Sequence, residues 1–313
     1  MEINLLDLFS GIGGFHLGLE RAGFKVNAYN SEIDKYAMDV YKHNFKNSTY
    51  VGSVTDVRAE QLPRIDAITF GSPCQDFSLA GKRQGMGGER SSLITEAIRL
   101  IKECRPRFFI WENVKGTFSS NNGADFWAII QAFANIGGYR LEWQLLNTKW
   151  FLPQNRERIY LVGYLGEGSG GQIFPISSNN GSIDEARTNP NTLTLISRYK
   201  ASTSQGSYIN ECYKVSSAEV GDFRYDEGYR PREDGDSPTL SLNCGSSSSG
   251  GVIVNKIRRL TPIECERLQG FPDNWTKYGT KGDISDSQRY KMCGNAVTVD
   301  VVKAVAEKIK QII

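Results

Sequence analysis

The chain has 313 residues, 39% of them hydrophobic and 23% charged, which is the balance of an ordinary globular enzyme; its formal net charge of +2 neither demands nor excludes a nucleic-acid partner. No apolar run reaches the roughly 18–20 residues of a membrane span, and the opening "MEINLLDLFSG" lacks the basic stretch of a signal peptide, so neither membrane insertion nor secretion is expected. Six cysteines (Cys74, Cys104, Cys212, Cys244, Cys265 and Cys293) lie far apart with no C-x-x-C pair, which argues against a metal site or a disulfide framework and for a reducing cytoplasm.

Up to about residue 165, short apolar runs alternate with helix-like segments. "INLLDLF" reads as a buried strand, followed by the helix "GGFHLGLERAGF", which closes at Gly23. "KVNAYN" is a second strand and "EIDKYAMDVYKHN" a second helix. "IDAITFG" is the next strand, and "SSLITEAIRLIKECR" a helix with Leu93, Ala97, Leu100 and Ile101 along one stripe. "PRFFIWEN" and "RIYLVGYL" are further strands. This alternation predicts an α/β fold built on a doubly wound, mostly parallel sheet.

From about 166 to 251 the texture changes to Gly/Ser-rich stretches such as "GEGSGG" and "GSSSSGG". Short alternating runs, "NTLTLISRY", "GSYINECYKV" and "GGVIVNKI", predict a small, loop-rich β domain; a linker is the alternative. Helical texture returns at "TPIECERLQG" and "ISDSQRYKM". In "AVTVDVVKAVAEKIKQII", Val297, Val301, Val305 and Ile309 recur on one helix face.

Four stretches carry chemistry. "DLFSGIGGF" (7–15) is a strand, a Gly-rich turn and a helix, where the backbone can approach a nucleotide-type ligand; a plain tight turn is the alternative. The dinucleotide fingerprint fails, because His16 stands where its third glycine would be, and there is no P-loop lysine. Glu32, just past the second strand, can accept hydrogen bonds from a ribose diol. In "TFGSPCQDFSLAG" (69–81), Cys74 lies on the loop beyond a strand's carboxyl end, where open α/β sheets bind ligands, and Pro73 stiffens its approach. Cys74 is either a small buried hydrophobe or a reactive thiol, and only two histidines, His16 and His43, exist to assist it. The loop that follows carries Lys82, Arg83 and Arg90 among glycines and is suited to closing over an anionic polymer. In "FFIWENVKG", Glu112 ends another strand: a partly desolvated acid suited to proton donation, or a structural acid satisfied by backbone donors. In "QNRERIYLVG", an extended chain puts Arg156 and Arg158 on one side; surface charge is the bland alternative.

In order, "DLFSGIGGF", "SEIDKYA", "GSPCQDFS", "WENVKG", "QNRERIYLVG", "RRLTPIECERLQGFPDNW" and "YKMCGNAV" resemble the successive motifs of the cytosine-C5 DNA methyltransferases. The resemblance implies the S-adenosylmethionine-dependent methyltransferase fold. It implies a catalytic domain of 1–165 plus 258–313, and a target-recognition domain over 166–257. The implied reaction moves a methyl group from S-adenosylmethionine to C5 of a cytosine flipped out of a specific double-stranded DNA sequence. Cys74 maps onto the nucleophile that attacks C6, Glu112 onto the acid at N3, and Arg158, with Arg156 nearby, onto the group at O2. Phe9, Gly11, Gly13, Glu32, Ile33, Pro73, Leu93, Asn295 and Val297 map onto the cofactor pocket, with Glu32 on the ribose and Ile33 on the adenine. There is one departure. Ser53 stands where the family often has an acid for the adenine amino group, a weaker acceptor, and Asp56 lies three residues further on.

On the same footing, Lys82, Arg83 and Arg90 are expected on DNA. Arg187, Arg198, Arg224, Arg230 and Arg232 are candidates for reading guanines. "TLTL" (192–195) and "TLSL" (239–242, with Thr239) are both similar to the family's Thr-Leu recognition signature. A monomer without metal is implied, in a bacterial or phage-infected cytoplasm, with a restriction endonuclease acting separately. Three rivals are less consistent with the residues. A tRNA methyltransferase on this scaffold needs no long β insert. A catalytically dead DNA-binding regulator would not keep Cys74, Glu112, Arg156 and Arg158 together. A nicotinamide-dependent oxidoreductase is disfavoured by His16.

Overall fold

The computed structural model describes residues 1–71, 93–166, 171–177 and 260–313, with the backbone of four short strands at 208–211, 220–224, 228–232 and 256–259. In chain order the first part runs β1 (Glu2–Leu8), α1 (Gly14–Arg21), β2 (Lys25–Ser31), α2 (Lys35–Asn44), β3 (Thr49–Tyr50), β4 (Ala67–Gly71) and α3 (Leu93–Cys104). It continues through β5 (Phe108–Val114), α4 (Ala124–Ala134), β6 (Tyr139–Asn147) and β7 (Glu157–Leu165). These strands form one seven-stranded sheet in the order β3-β2-β1-β4-β5-β7-β6. Pairing is parallel from β3 to β5, and β7 runs antiparallel to both β5 and β6. This is the doubly wound, mostly parallel sheet the alternation predicts.

The strand period explains why both faces are covered. Along β1, Ile3 and Leu5 point into one core and Leu6 and Leu8 into the other, all of them buried. The first core takes Phe15 and Leu19 of α1; the second takes Ile94, Ala97, Leu100 and Ile101 of α3 and Ile129 and Phe133 of α4. Leu93, expected on the α3 stripe, is only partly buried at the helix start; Ile94 takes the deep position.

After residue 260 come α5 (Pro262–Leu268), α6 (Asp286–Asn295) and α7 (Val299–Lys310). Thr261 opens α5 with a capping box closed by Glu264. Helix α7 starts two residues after Val297, and it buries Val301, Val302, Val305, Ala306 and Ile309 in the core that α1 shares. Glycines make that approach possible. A Cβ on Gly14 would stand 2.6 Å from Val297 Cγ2, and one on Gly18 2.5 Å from Val302 Cγ1. Arg21 donates to the Gly270 carbonyl at 2.6 Å, and Lys310 to that of Gly23 at 3.0 Å. The C-terminal motifs therefore close beside the first one.

Residues 171–177 fall in the expected insert but pack on the sheet, with Ile173, Phe174 and Ile176 in the core beside Tyr164 of β7 and bonded to side chains of β6. The N–H groups of Ile173 and Phe174 donate to Glu142 Oε2 (2.9 and 3.1 Å), and Gln144 exchanges bonds with the Ile176 backbone (2.8 and 2.9 Å). Beyond them, 208–211 pairs antiparallel with 256–259, and 220–224 with 228–232. Among the described residues no helix is long and apolar enough to cross a membrane.

Candidate active site

Two corners meet at the carboxyl ends of the strands. The first is the glycine turn after β1. Phe9 (φ 52°), Gly11 (φ 53°) and Gly13 (φ 87°) are all left-handed, and Gly13 caps the start of α1. Glycine adopts this region freely, whereas Phe9 is held there against its preference. Glu32 fastens the turn: its carboxylate accepts from Gly11 N, Ile33 N and Asp34 N, each at 2.8 Å. A carboxylate offers about four acceptor directions, so a ligand hydroxyl still finds one. Beside it Ile33 is 80% exposed. The Ser10 hydroxyl is buried without a hydrogen-bond partner, and a Cβ on Gly11 would meet nothing nearer than the Phe9 carbonyl at 4.0 Å. An open glycine concavity, an acceptor and an exposed aliphatic lip fit a nucleoside-bearing cofactor such as S-adenosylmethionine. His16 is buried, bonded through Nδ1 to the Tyr41 hydroxyl (2.9 Å) and stacked on Phe45 at 3.8 Å.

Ser53 lies in a turn closed by Asp56 N–H donating to its carbonyl (2.8 Å), and its hydroxyl meets Thr55 Oγ1 at 3.0 Å. The acid three residues further on thus shares its turn, since Thr55 Oγ1 also donates to Asp56 Oδ1 at 3.4 Å. Asn295 ends α6, and Val297 lies between the corners, 2.6 Å from the Gly14 Cβ position and 4.0 Å from that of Gly71.

The second corner is assembled by three adjacent strands. Gly71, the last residue of β4, is level with Glu112 on β5, and Val114 is level with Arg158 on β7. Glu112 is 8% exposed, and its Oε1 lies 3.1 Å from Arg158 Nε as an ion pair that is not aligned as a hydrogen bond. Its Oε2 lies 3.2 Å from where a Cβ on Gly71 would be, so the glycine leaves the carboxyl its room. Sequence reasoning passed over Gly71; its place at the end of a buried strand was the available signal.

The two arginines go to different partners. Arg156 is 5% exposed and donates to the carbonyls of Gly294 (3.4 Å) and Ala296 (3.0 Å), on either side of Asn295. A second buried polar set braces the same region. Gln269 donates to Gln154 Oε1 (3.2 Å) and accepts from Thr298 (3.0 Å), whose hydroxyl also meets that of Thr148 at 3.0 Å. Asp7 was likewise passed over, although an acid inside an apolar strand is a signal. It is fully buried, and Thr69 donates to its Oδ1 at 2.8 Å. Burial pushes its carboxyl well above the usual range.

Cys74, Pro73, Lys82, Arg83, Arg90, Arg187, Arg198 and Thr239 lie outside the described residues, and Arg224, Arg230 and Arg232 are described by backbone alone. Cys74 follows the described end of β4, Gly71, by three residues. Among the described residues no group of three or more His, Cys, Asp or Glu is placed to hold a metal ion.

The C-5 cytosine-specific DNA methylase family matches residues 3–311. The chain is 31% identical over 325 residues to the Type II methyltransferase M.Bsp6I of Bacillus sp. (strain RFL6), with 98% of each covered. It is 35% identical over 312 residues to the Type II methyltransferase M.HaeII of Haemophilus aegyptius, covering 97% of this chain and 92% of that one. The S. pombe Dnmt2 methyltransferase shares the fold at a TM-score of 0.62 and 17% identity, with 99% of both chains covered. With the match running from β1 into α7 and the glycine-turn corner joined to the Glu112 corner through Val297, the chain belongs to the C-5 cytosine-specific DNA methylase family, and its activity is the S-adenosylmethionine-dependent methylation of cytosine at C5.

Proposed function

We propose that this chain methylates one cytosine within a specific double-stranded DNA sequence, with the base turned out of the stack and held covalently by Cys74. The observation that carries the reading is the buried Glu112–Arg158 pair, 3.1 Å apart, level with the strand end that leads to Cys74. C6 of cytosine accepts a nucleophile only when electron density is drawn away from it. Glu112 donates a proton to N3, and Arg158 bonds O2. The Cys74 thiolate then forms the S–C6 bond, and the C5–C6 π pair moves to C5. S-adenosylmethionine, when bound, supplies the methyl group that C5 takes. Solvent water takes the C5 proton, the C–H pair rebuilds the C5–C6 double bond and expels Cys74 as thiolate, and N3 returns its proton to Glu112. No histidine is required, because a thiol is already ionised to a few per cent near neutrality and is intrinsically nucleophilic. Turning the base out costs a few kcal/mol.

In this reading Arg156 is a positioning residue for the turn around Asn295, and Arg158 meets the base. Phe9, Gly11, Gly13, Leu93, Asn295 and Val297, with Pro73, line the cofactor pocket. Glu32 takes the ribose, Ile33 the adenine, and Ser53 acts as a weak acceptor for the adenine amino group. Residues 1–165 and 258–313 form the catalytic unit. The 166–257 insert reads the sequence, with Thr239 among its contacts and 171–177 as its attachment to β6. Lys82, Arg83 and Arg90 hold phosphates, which position a protein without reading bases. The chain acts as a monomer in the bacterial cytoplasm, apart from a cognate restriction endonuclease; the Type II names of its relatives support that pairing.

The test is a duplex carrying 5-fluorocytosine, whose fluorine cannot leave as a proton does. The wild-type protein with cofactor is expected to form a stable adduct, and Cys74→Ser none. An adduct on Cys74→Ser, or near wild-type turnover by it, would remove Cys74 from the mechanism. Bisulfite sequencing of DNA from expressing cells reports the target sequence.

A further inference from the structure

The loop 271–276 joins α5 to the rest of the C-terminal segment, and its anchoring is unusually polar. Glu266 is fully buried; its Oε1 accepts from Thr276 N (2.9 Å), from the Thr276 hydroxyl and from Arg289 Nη2 (3.0 Å). Arg289 Nε also donates to Thr276 Oγ1 at 3.1 Å. A buried ion pair holds its place only when other bonds offset its lost hydration, as they do here. From the other side Asn44 Nδ2 donates to the Trp275 carbonyl at 3.1 Å. The Trp275 ring lies edge-on to Phe45, with centroids 5.4 Å apart, and against Phe271 at 5.5 Å.

The loop is held so that one polar atom reaches out of it. Trp275 Nε1 donates to the Ile12 carbonyl at 2.9 Å. Ile12 lies between Gly11 and Gly13, both left-handed. The other end of the same peptide unit, Gly13 N–H, donates to the Ser10 carbonyl at 2.9 Å. The Ile12–Gly13 peptide plane is therefore fixed at both ends, by Ser10 within the turn and by an indole from 263 residues away. Gly13 on one side of that plane gives it little preference of its own there. The indole is a donor with no acceptor capacity, so it specifies which way the carbonyl points.

We infer that Trp275 is a positioning residue for the cofactor: its N–H holds the glycine turn in the shape that binds S-adenosylmethionine. This rests on reading the turn at Gly11 and Gly13 as the cofactor pocket. Trp275→Phe keeps an aromatic ring against Phe45 and Phe271 and removes the donor. Its dissociation constant for S-adenosylmethionine, measured by calorimetry without DNA, is expected to rise roughly five- to tenfold, the worth of one hydrogen bond. Turnover at saturating cofactor is expected to stay within about twofold. Trp275→His, which keeps a ring N–H, should fall between Trp275→Phe and wild type. If Trp275→Phe does not fold, Asn44→Ala, which frees the same loop from outside the pocket, should weaken binding in the same direction. A wild-type dissociation constant in a variant that only melts earlier would overturn the inference, as would lost turnover with unchanged binding. Glu32→Ala separates the two readings. If it weakens binding and Trp275→Phe does not, the inference about Trp275 fails; if neither does, the pocket assignment fails.

Discussion

Among the described residues Glu112 is paired with Arg158, and it lies among strands that leave it almost no solvent. Replacing it by glutamine keeps the shape and removes the proton. We expect single-turnover methyl transfer by Glu112→Gln to slow about 10²–10⁴-fold, the usual worth of a general acid, with S-adenosylmethionine affinity unchanged in a binding titration. Arg156 and Arg158 should separate cleanly. Arg156→Ala leaves the buried carbonyls of Gly294 and Ala296 without a donor they now have. It should lower the urea unfolding free energy by about 2–3 kcal/mol. Arg158→Ala, more exposed and facing Glu112, should lose turnover with little change in that midpoint. The sequence made both arginines visible and could not separate them: an extended chain puts them on one side, and the partner of Arg156 lies 138 residues away. Glu112 and Glu32 were legible because each is an acid at or just past the carboxyl end of a predicted strand. Gly71 and Trp275 matter through contacts that no local pattern encodes.

At the scale of elements, the sheet was readable where strands are buried on both faces and run as unbroken apolar stretches. Helix α4 and strand β6 were not singled out. The helix "ADFWAIIQAFA" is apolar almost all round, with Trp127 56% exposed, so it has no contrasting face to count. The segment 171–177 is held to β6 through the side chains of Glu142 and Gln144, and has no strand pattern to detect. The α1–α7 contact gives a prediction with opposing effects. Alanine at Gly18 would favour the isolated helix by about 1 kcal/mol. Its Cβ would stand 2.5 Å from Val302 Cγ1 and 2.6 Å from Val302 Cβ, inside a packed core. Overpacking costs about 1–3 kcal/mol and should win. Gly18→Ala is therefore expected to unfold at lower urea than wild type, and Gly18→Ala combined with Val302→Ala to recover part of the loss.

For the molecule as a whole, acid–base linkage centres on Asp7. Burial raises its carboxyl well above the unfolded range, with the Thr69 bond opposing and the Glu32 charge adding to the rise. A raised pKa means that the folded state holds a proton the unfolded chain releases. Its favourable contribution is complete below the unfolded value of about 4 and is lost as pH climbs toward the folded one. Asp7→Asn keeps an acceptor for Thr69 and needs no proton. It should melt higher than wild type at pH 8, with the gap closing as the pH approaches 4; a gap that widens on acidification would show that Asp7 is ionised in the fold. The break in composition at about residue 166 is legible in the sequence, and the proposed division into a chemical unit and a reading unit rests on it. How such an insert would meet DNA is not legible, because base contacts depend on which short loops face the groove, and composition is silent on that.

The pairing of α1 with α7 also sets a clock. The glycine turn at Gly11 and Gly13 leaves the ribosome well before Val297 and α7, which pack against Gly14 and Gly18. At about 5–20 residues per second, the intervening chain takes on the order of tens of seconds to emerge from a ribosome. During that interval Ile12 has no indole and α1 presents an unfilled furrow to water. The nascent chain therefore cannot fix that turn early: the Ile12 carbonyl waits for Trp275, and the furrow on α1 for Val302.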